Sequence, residues 1–469
     1  MRVDGPVRFG RGRSSARSSA ACLVAWLCLA AASRARAVVE PGLTPDDYAD
    51  ESRLAAAVWE RSPEVIDARQ ESMVAASEET RAHLLPNPQL DLAWGTIPVG
   101  PTNPRDLNDP IGNVPNYSAG LSELIELGKR GPRQAATGAE REAATWRAVA
   151  VFADRYFELL AAVGKIAMAE ERANMLDRQV SESEHLLQLE QARADKGEIA
   201  KMQSARTEAE HMRLVAERDG TRSDLEEARA ACAELVAQPC APFGSEEAAR
   251  AFLVAGAGTP LPTAWSGEIE SRRPDLAALA AAERAADERV ALARHQAIPD
   301  VTLRLGYTYD TFVVSGNQRQ SLGVGMQMPL PVADHGQADE AKASATLLSA
   351  RRAREALSAS GRVALAAAVQ RRALIADRLT RLDTALAKAD ELRTTMSGAA
   401  REGGVSEVDV LLARRRYQEV LLDRTQLDYD AYAAALAGRQ AAALFPAPDI
   451  TLSGQLAGTD GSQQELQHP

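Results

Sequence analysis

Two stretches of the chain, 211 residues apart, share one pattern of prolines, glycines and alternating apolar side chains. Pro88 corresponds to Pro299, Leu90 to Val301, Leu92 to Leu303 and Gly95 to Gly306. Because apolar residues recur at every second position, each stretch is predicted to form a strand with two different faces. Upstream, the same offset pairs residues 62–65 with residues 273–276, where an Ala-rich helical stretch begins in each case. The chain is therefore an internal duplication.

Each repeat is predicted to contain a helix, two strands and a pair of long helices, which makes the fold mostly α with a small β part. The predicted units are a signal peptide (1–37), a first repeat (38–236), a connector (237–267), a second repeat (268–445) and a C-terminal tail (446–469). Strands are predicted at about 89–97, 116–127, 301–312 and 322–330, and helical hairpins at 131–236 and 336–444. The loop between paired strands is six residues shorter in the second repeat, whereas the strands match in length. Fixed strands with variable loops are typical of a barrel hairpin.

The long helices limit the architecture most strongly. From Gly131 to Gly197 there are 66 residues, and from Gly336 to Gly403 there are 67. Within these stretches, apolar residues recur at spacings of 3 and 4, as in Ile375, Leu379 and Leu382. Such a helix would be roughly 100 Å long, which exceeds the depth of an ordinary globular domain. Heptad packing against other helices is predicted instead.

The N-terminus has the features of an export signal. Residues 1–37 contain a basic start, an apolar run at 20–32 and a small-x-small site at 35–37. Cleavage is expected after Ala37, without a lipid anchor. The whole chain has a formal net charge of −11, and loss of residues 1–37 removes seven arginines and one aspartate. The mature chain is thus still more acidic, which argues against nucleic acid as a partner.

Motifs for catalysis and metal binding are missing from the sequence. It contains no phosphate-binding loop, no nucleophile elbow and no paired-His zinc motif, and its six His are scattered. No enzymatic activity, cofactor or metal site is therefore expected. After export, only Cys232 and Cys240 remain, and an oxidising compartment permits a disulfide between them. Spacing alone leaves both the bridged and the free state open.

Four strands are too few for a membrane barrel, which needs about eight. Open strand edges are not tolerated in lipid, so copies of the chain must supply the missing strands, and three copies would give twelve. Aromatic residues stand in or beside the predicted strands, as an aromatic belt in an outer membrane would require. These residues are Trp94, Tyr117, Tyr307, Tyr309 and Phe312.

Three motifs resemble those of the TolC-like outer membrane factors, also called outer membrane efflux proteins. They are the turn with Gly403, Ser406 and Asp409, the segment Pro329-Leu330-Pro331 that leads to Gly336, and the duplicated helix, hairpin and long-helix plan. The segment from Glu126 to Gly131 is similar to the branch of the family that serves heavy-metal cation efflux. The first turn departs from the pattern, with Ala200 in place of Ser and Gln203 in place of Asp.

The resemblance implies a homotrimeric duct with a 12-stranded β-barrel in outer membrane lipid and an α-helical barrel in the periplasm. Its partners would be a periplasmic adaptor (membrane fusion) protein and an inner membrane pump of the RND type. The adaptor is expected to dock at the periplasmic tip of the helices, at Gly197, Ile199, Ala200, Gly403, Val405 and Ser406. Asp409 is expected either to stabilise a helix start or to belong to a threefold acidic ring that constricts the lumen.

Three other functions stay open at this stage. Long helices alone would suffice for a periplasmic coiled-coil scaffold or adaptor without a pore, but two matched strand hairpins would be superfluous there. A duct for type I secretion or multidrug export has the same architecture as a duct for cations, so the substrate stays undetermined. A periplasmic metal-binding protein is disfavoured by the scattered His.

Overall fold

The computed structural model describes residues 42–95, 116–310 and 318–446, and within them a duplicated arrangement of helices and strands. Other parts of the chain lie outside the described residues. They include the predicted signal peptide, the segments 96–115 and 311–317, of which the second includes Phe312, and nearly all of the predicted tail. The first half consists of α1 (Pro45–Tyr48), α2 (Glu51–Arg61), α3 (Pro63–His83), β1 (Gln89–Gly95), β2 (Asn116–Ile125), α4 (Arg130–Asp195) and α5 (Lys201–Val236).

The connector and the second half follow the same order. They consist of α6 (Glu246–Ala257), α7 (Gly267–Arg272), α8 (Pro274–Gln296), β3 (Val301–Asp310), β4 (Gln320–Gln327), α9 (Gln337–Arg401) and α10 (Glu407–Ala441). The two long helices contain 66 and 65 residues. Pro63 and Pro274 each occupy the first turn of their helix, where a missing N–H costs nothing.

The four strands form one antiparallel sheet in the order β1-β2-β3-β4. Gly120 stands opposite Gly306 at the junction of the two repeats. Toward one end, the rings of Trp94, Tyr117 and Tyr309 stack in a row, with centroids 6.3 Å and 6.5 Å apart. Apolar side chains point outward from the sheet, and Val324 is 82% exposed. β1 and β4 form the two edges of this sheet.

Strand β4 ends earlier than the sequence predicted. It covers Gln320–Gln327, whereas the prediction was about 322–330. Pro329 and Pro331 follow the last paired residue, and proline has no N–H for a strand ladder. Apolar residues continue to alternate as far as Leu330, but the pairing stops at Gln327.

The helices pack in a fixed order on each side of the middle of the molecule. Next to the sheet the order is α3, α4, α8 and α9, and farther from it the order is α5, α4, α10 and α9. The long helices α4 and α9 belong to both layers, while shorter helices complete each layer. A short helix before the strands and a returning helix after the turn together match one long helix in length.

The main hydrophobic core lies where these layers meet. Phe152, Tyr156 and Phe157 of α4 are buried there with α2, α5 and α6. Tyr432 of α10 inserts its ring between Gly164 and Gly256, where a Cβ atom would collide with the ring. Its hydroxyl donates to the carbonyl oxygen of Leu160 at 2.8 Å. The core therefore joins helices from both repeats and from the connector.

The connector is held against this core by a disulfide and by polar contacts. Cys232 and Cys240 are bonded, with their Cα atoms 6.1 Å apart. The carboxylate of Glu170 accepts the N–H groups of Phe243 and Gly244 at 2.5 Å and 2.7 Å. Both cysteines are buried, so the bond lies inside the core.

A second glutamate is buried between the two repeats. Glu171 of α4 is 1% exposed, and burial raises the pKa of its carboxyl group to about 7. Thr425 Oγ1 lies 3.5 Å from its Oε1, and Asp428 of α10 and Glu246 of α6 add negative charge nearby. The positive charge of Arg250 of α6 lowers the pKa of Glu171, but Arg250 also forms an ion pair with Asp428, with 3.7 Å between Nε and Oδ2. The neutral form of Glu171 is therefore favoured in the folded chain.

We predict that Glu171→Gln stabilises the protein at pH 8 by on the order of 3 kcal/mol and has little effect at pH 4. A carboxyl group whose pKa is raised in the folded state contributes its full share to the free energy of unfolding below its ordinary pKa near 4.3. This share is lost as pH rises through the folded-state pKa of about 7. Thermal unfolding in detergent at both pH values measures the difference. Glu184→Gln, at an exposed position on the same helix, should give equal changes at both values. An E171Q effect independent of pH would contradict the assignment.

Candidate functional site at the tip of the helical hairpins

The end of the molecule farthest from the sheet consists of two glycine turns. Gly197 and Gly403 have φ of 74° and 76°, a left-handed conformation that favours glycine. In the first turn, the N–H groups of Gly197 and Glu198 donate to the carbonyls of Ala194 and Arg193. The second turn repeats both bonds, from Gly403 to Ala400 and from Gly404 to Ala399. Both turns are Schellman motifs, which end a helix and allow the chain to reverse.

The starts of the returning helices differ. Ser406 caps α10, because its Oγ accepts the N–H of Asp409 at 3.2 Å and donates to the Asp409 carboxylate at 2.7 Å. Ala200 occupies the same place before α5 and has no side chain for such a bond. The departure of the first turn from the pattern, noted in the sequence, is thus a missing cap. An N-cap of this kind contributes about 1 kcal/mol.

Three of the predicted docking residues lie in the first turn and three in the second. Ile199 and Val405 are half-buried, whereas Gly197, Ala200, Gly403 and Ser406 are exposed. Asp409 is exposed as well, and its carboxylate takes part in the cap. It precedes the buried residues Ala413, Val420 and Leu427 at spacings of 4, 7 and 7, so it continues the helical line that faces the neighbouring helices.

A groove between the two hairpins was not predicted. It has a volume of about 400 Å³ and lies just behind the turns. Leu186, Leu189, Val408 and Leu411 give it apolar walls. Its charged lining consists of Arg206, Arg401 and Arg414 together with the buried Glu190, so positive charge is in excess. In the sequence, Leu186 and Leu189 are three positions apart, as are Val408 and Leu411. The sequence does not show that these two pairs lie across from each other, because this depends on how the two hairpins pack. The tip thus presents apolar and basic groups to solvent beside the turns.

The segment from Glu126 to Gly131 joins the sheet to α4. Glu126 forms an ion pair with Arg133, and these contacts lower the pKa of Glu126 and raise that of Arg133. Lys129 Nζ lies 2.8 Å from Asp300 Oδ2, and the N–H of Leu127 donates to Asp300 Oδ1 at 3.2 Å. The charged groups of this segment therefore fix the β2–α4 junction to the α8–β3 junction.

The described ranges lack two further features. Across the described ranges, we find no helix that combines the length and apolar character of a membrane span. In the same residues, no three His, Cys, Asp or Glu side chains are grouped so that they could hold a metal ion.

Comparison with known proteins relates this arrangement to a family of channels. Residues 265–457 match the profile of the outer membrane efflux protein family. Among solved structures, the CmeC outer membrane channel of Campylobacter jejuni is similar at 14% identity and a TM-score of 0.69, over 89% of this chain and 92% of that one. CusC is similar at 15% identity and a TM-score of 0.69, over 86% of this chain and 95% of that one. The MtrE outer membrane channel of Neisseria gonorrhoeae is similar at 18% identity and a TM-score of 0.66, over 83% of this chain and 88% of that one.

No curated protein matches the sequence. The profile match covers the second repeat, and the fold similarity to solved channels extends over the first repeat as well. The resemblance to this family that the sequence motifs indicated is confirmed. Its members are channel proteins and not enzymes, in agreement with the expectation from the sequence.

We predict that Asp409→Asn leaves ion selectivity unchanged and lowers stability by about 0.5 kcal/mol, because the carboxylate stabilises the start of α10. Reversal potential across a salt gradient and thermal unfolding together measure both effects. Asp423→Asn, at an exposed position farther along α10, is the matched control and should change neither. A reversal potential shifted toward that of a less cation-selective pore would assign Asp409 to an acidic ring in the lumen instead.

Proposed function

We propose that the chain is the outer membrane channel of a tripartite efflux system and forms a passive duct as a homotrimer. One observation carries the proposal: the sheet and both helix layers are open on the same two sides of the protomer. β1, α3 and α5 lie on one side, and β4 and α9 lie on the other. A copy rotated about an axis along the helices brings the second side of one protomer against the first side of the next.

The sheet supports closure in this manner. Edge strands expose backbone N–H and C=O groups, and in lipid such groups need partners. If β4 of one copy pairs with β1 of the next, every edge is satisfied. Two copies would give eight strands, whose interior is filled by side chains, whereas three give twelve and leave room for a channel.

The helices support the same closure. α9 carries apolar side chains that lack cover within the protomer, with Leu348 58%, Val363 69% and Leu374 66% exposed. In contrast, α4, which has neighbours of its own protomer on both sides, buries Leu159, Val163 and Ile166 completely. A neighbouring copy would cover α9. Export to the outer membrane, with the helices in the periplasm, agrees with the signal sequence and with the matched family.

The tip is the proposed docking site for a periplasmic adaptor that belongs to an inner membrane pump of the RND type. The supporting features are the exposed turns around Gly197 and Gly403, the half-buried Ile199 and Val405, and the apolar and basic groove behind them. A partner with an acidic, amphipathic helical hairpin would fit these groups. The duct itself needs no energy source, because the pump would supply it.

The proposed substrates are heavy-metal cations or other small solutes. The cation assignment is based on the likeness of residues 126–131 to one branch of the family, although the side chains of this segment form structural ion pairs. A scaffold without a pore is the alternative from another class. It would have no use for a sheet whose outward side chains are apolar, as Leu92 at 71% exposure and Val324 at 82% are.

The mass of the detergent-solubilised particle tests the proposal. We expect native mass spectrometry of outer membrane extracts to give three chains per particle. The variant Leu322→Pro with Val324→Pro removes N–H groups from the β4 edge and should reduce trimers. The matched control Leu322→Ala with Val324→Ala shortens the same two side chains but keeps both N–H groups, so it should retain more of the trimer. A monomeric wild-type particle would contradict the proposal.

A further inference from the structure

The side of α9 that is exposed in the protomer carries a line of mixed apolar and basic residues. Leu374, Arg381, Lys388 and Leu392 follow one another at spacings of 7, 7 and 4, so they lie along one helical line. We call this line the α9 stripe. It is offset by one residue, about 100° around the helix, from the line of Ile375, Leu382 and Ala389 that packs in the protomer. In the described part of the chain, Arg381 and Lys388 form no ion pair.

The helix on the opposite open side of the protomer has the complementary character. α5 buries Leu214, Thr221 and Ala228, and the face opposite them presents Met212, Asp219, Glu227 and Ala230. We call these four residues the α5 stripe. Residues 366–401, the part of α9 level with α5, contain seven basic and four acidic residues, whereas α5 contains six basic and eight acidic ones. The two open sides of the lower helix layer therefore differ in charge.

We propose that the α9 stripe of one copy docks in antiparallel orientation on the α5 stripe of the next copy, with Lys388 paired to Asp219 and Arg381 paired to Glu227. This inference rests on the proposed ring of copies and specifies which surfaces close it. The occupant of each stripe is thus a second copy of this chain.

The heights of the two stripes agree. Rotation about an axis along the helices keeps both turns of every copy at one level, so heights can be measured from the tip. From the helical rise, Leu392 lies roughly 14 Å from the tip end of α9, and Met212 lies roughly 17 Å from that of α5. At the other end of the stripes, Leu374 lies roughly 41 Å and Ala230 roughly 44 Å from the tip. The partners in each apolar pair thus differ in height by about 3 Å.

The charged pairs meet by the tilt of helical side chains. On the same scale, Lys388 lies roughly 20 Å from the tip end of α9, and Asp219 lies roughly 27 Å from that of α5. Side chains lean toward the N-terminus of their helix. Lys388 therefore leans away from the tip and Asp219 leans toward it, which brings their charged ends together across a height difference of about 7 Å. Arg381 and Glu227, at roughly 30 Å and roughly 39 Å from the tip, lean toward each other in the same way across about 9 Å. Asp219 already contacts Arg218 at 2.7 Å in an exposed pair, which contributes little in water and leaves the carboxylate accessible.

Charge reversal tests the pairing. Arg381→Glu with Lys388→Glu places like charges opposite each other and should lower the apparent association constant of the trimer by at least about tenfold. Adding Asp219→Lys and Glu227→Lys to the same chain should restore the wild-type value. Arg147→Glu with Lys165→Glu is the matched control, because these exposed residues belong to α4, which has neighbours of its own protomer on both sides. Dilution in detergent followed by native mass spectrometry gives the constants.

The outcomes separate the two proposals. If the wild type forms no trimer, the proposed function fails together with this inference. If the wild type is trimeric and R381E with K388E associates as well as the control, the stripe pairing is wrong and the proposed function stands. Loss of association without rescue by the reversed α5 residues also overturns the pairing.

Cysteine cross-linking is a second measurement. Met212→Cys with Leu392→Cys should give covalent trimers on oxidation. The native Cys232 and Cys240 do not compete, because they are bonded to each other and buried. Monomers only would overturn the apolar contact.

Discussion

The rest of the structure depends on the backbone N–H and C=O groups along the outer edges of β1 and β4, because these groups need hydrogen-bond partners. Each edge strand presents N–H and C=O groups that have no partner in the sheet. Four strands are too few to close on themselves, and under the proposed function these groups pair with another copy in lipid. The helices below follow the strand order, since each strand is joined directly to one of them. The open sides of the helix layers therefore lie under the open edges of the sheet.

The height of the molecule is fixed by the two long helices and their turns. α4 and α9 contain 66 and 65 residues, and each ends in a glycine with positive φ. Nearly equal lengths bring both turns to about one level, where a partner can contact both repeats. The core around Phe152 and Tyr432 joins the repeats at mid-height and holds the connector through Glu170 and the disulfide. Distances along the axis are thus set by backbone geometry, while the lateral arrangement is set by packing.

Much of this plan could be predicted from the sequence, because it depends on local rules. Pro63 and Pro274 mark helix starts, Gly197 and Gly403 mark turns, and period-2 alternation marks strands. Contacts between distant segments could not be predicted in this way. Burial of Glu171, the groove behind the turns, and the ion pair between Lys129 and Asp300 each depend on which helices become neighbours. β4 ends before its predicted bound because Pro329 and Pro331 cannot donate to a strand ladder, although the apolar alternation continues to Leu330.

Conductance in a planar lipid bilayer tests the central claim, a water-filled duct closed by identical copies, most directly. Purified protein in detergent should insert and produce uniform unitary steps, of a size expected for one continuous pore. The double proline variant of β4 should give few insertions at equal protein concentration, since it removes N–H groups from the edge that pairs between copies. Bilayers that stay sealed at every voltage, with protein shown to be folded and trimeric, would contradict the account.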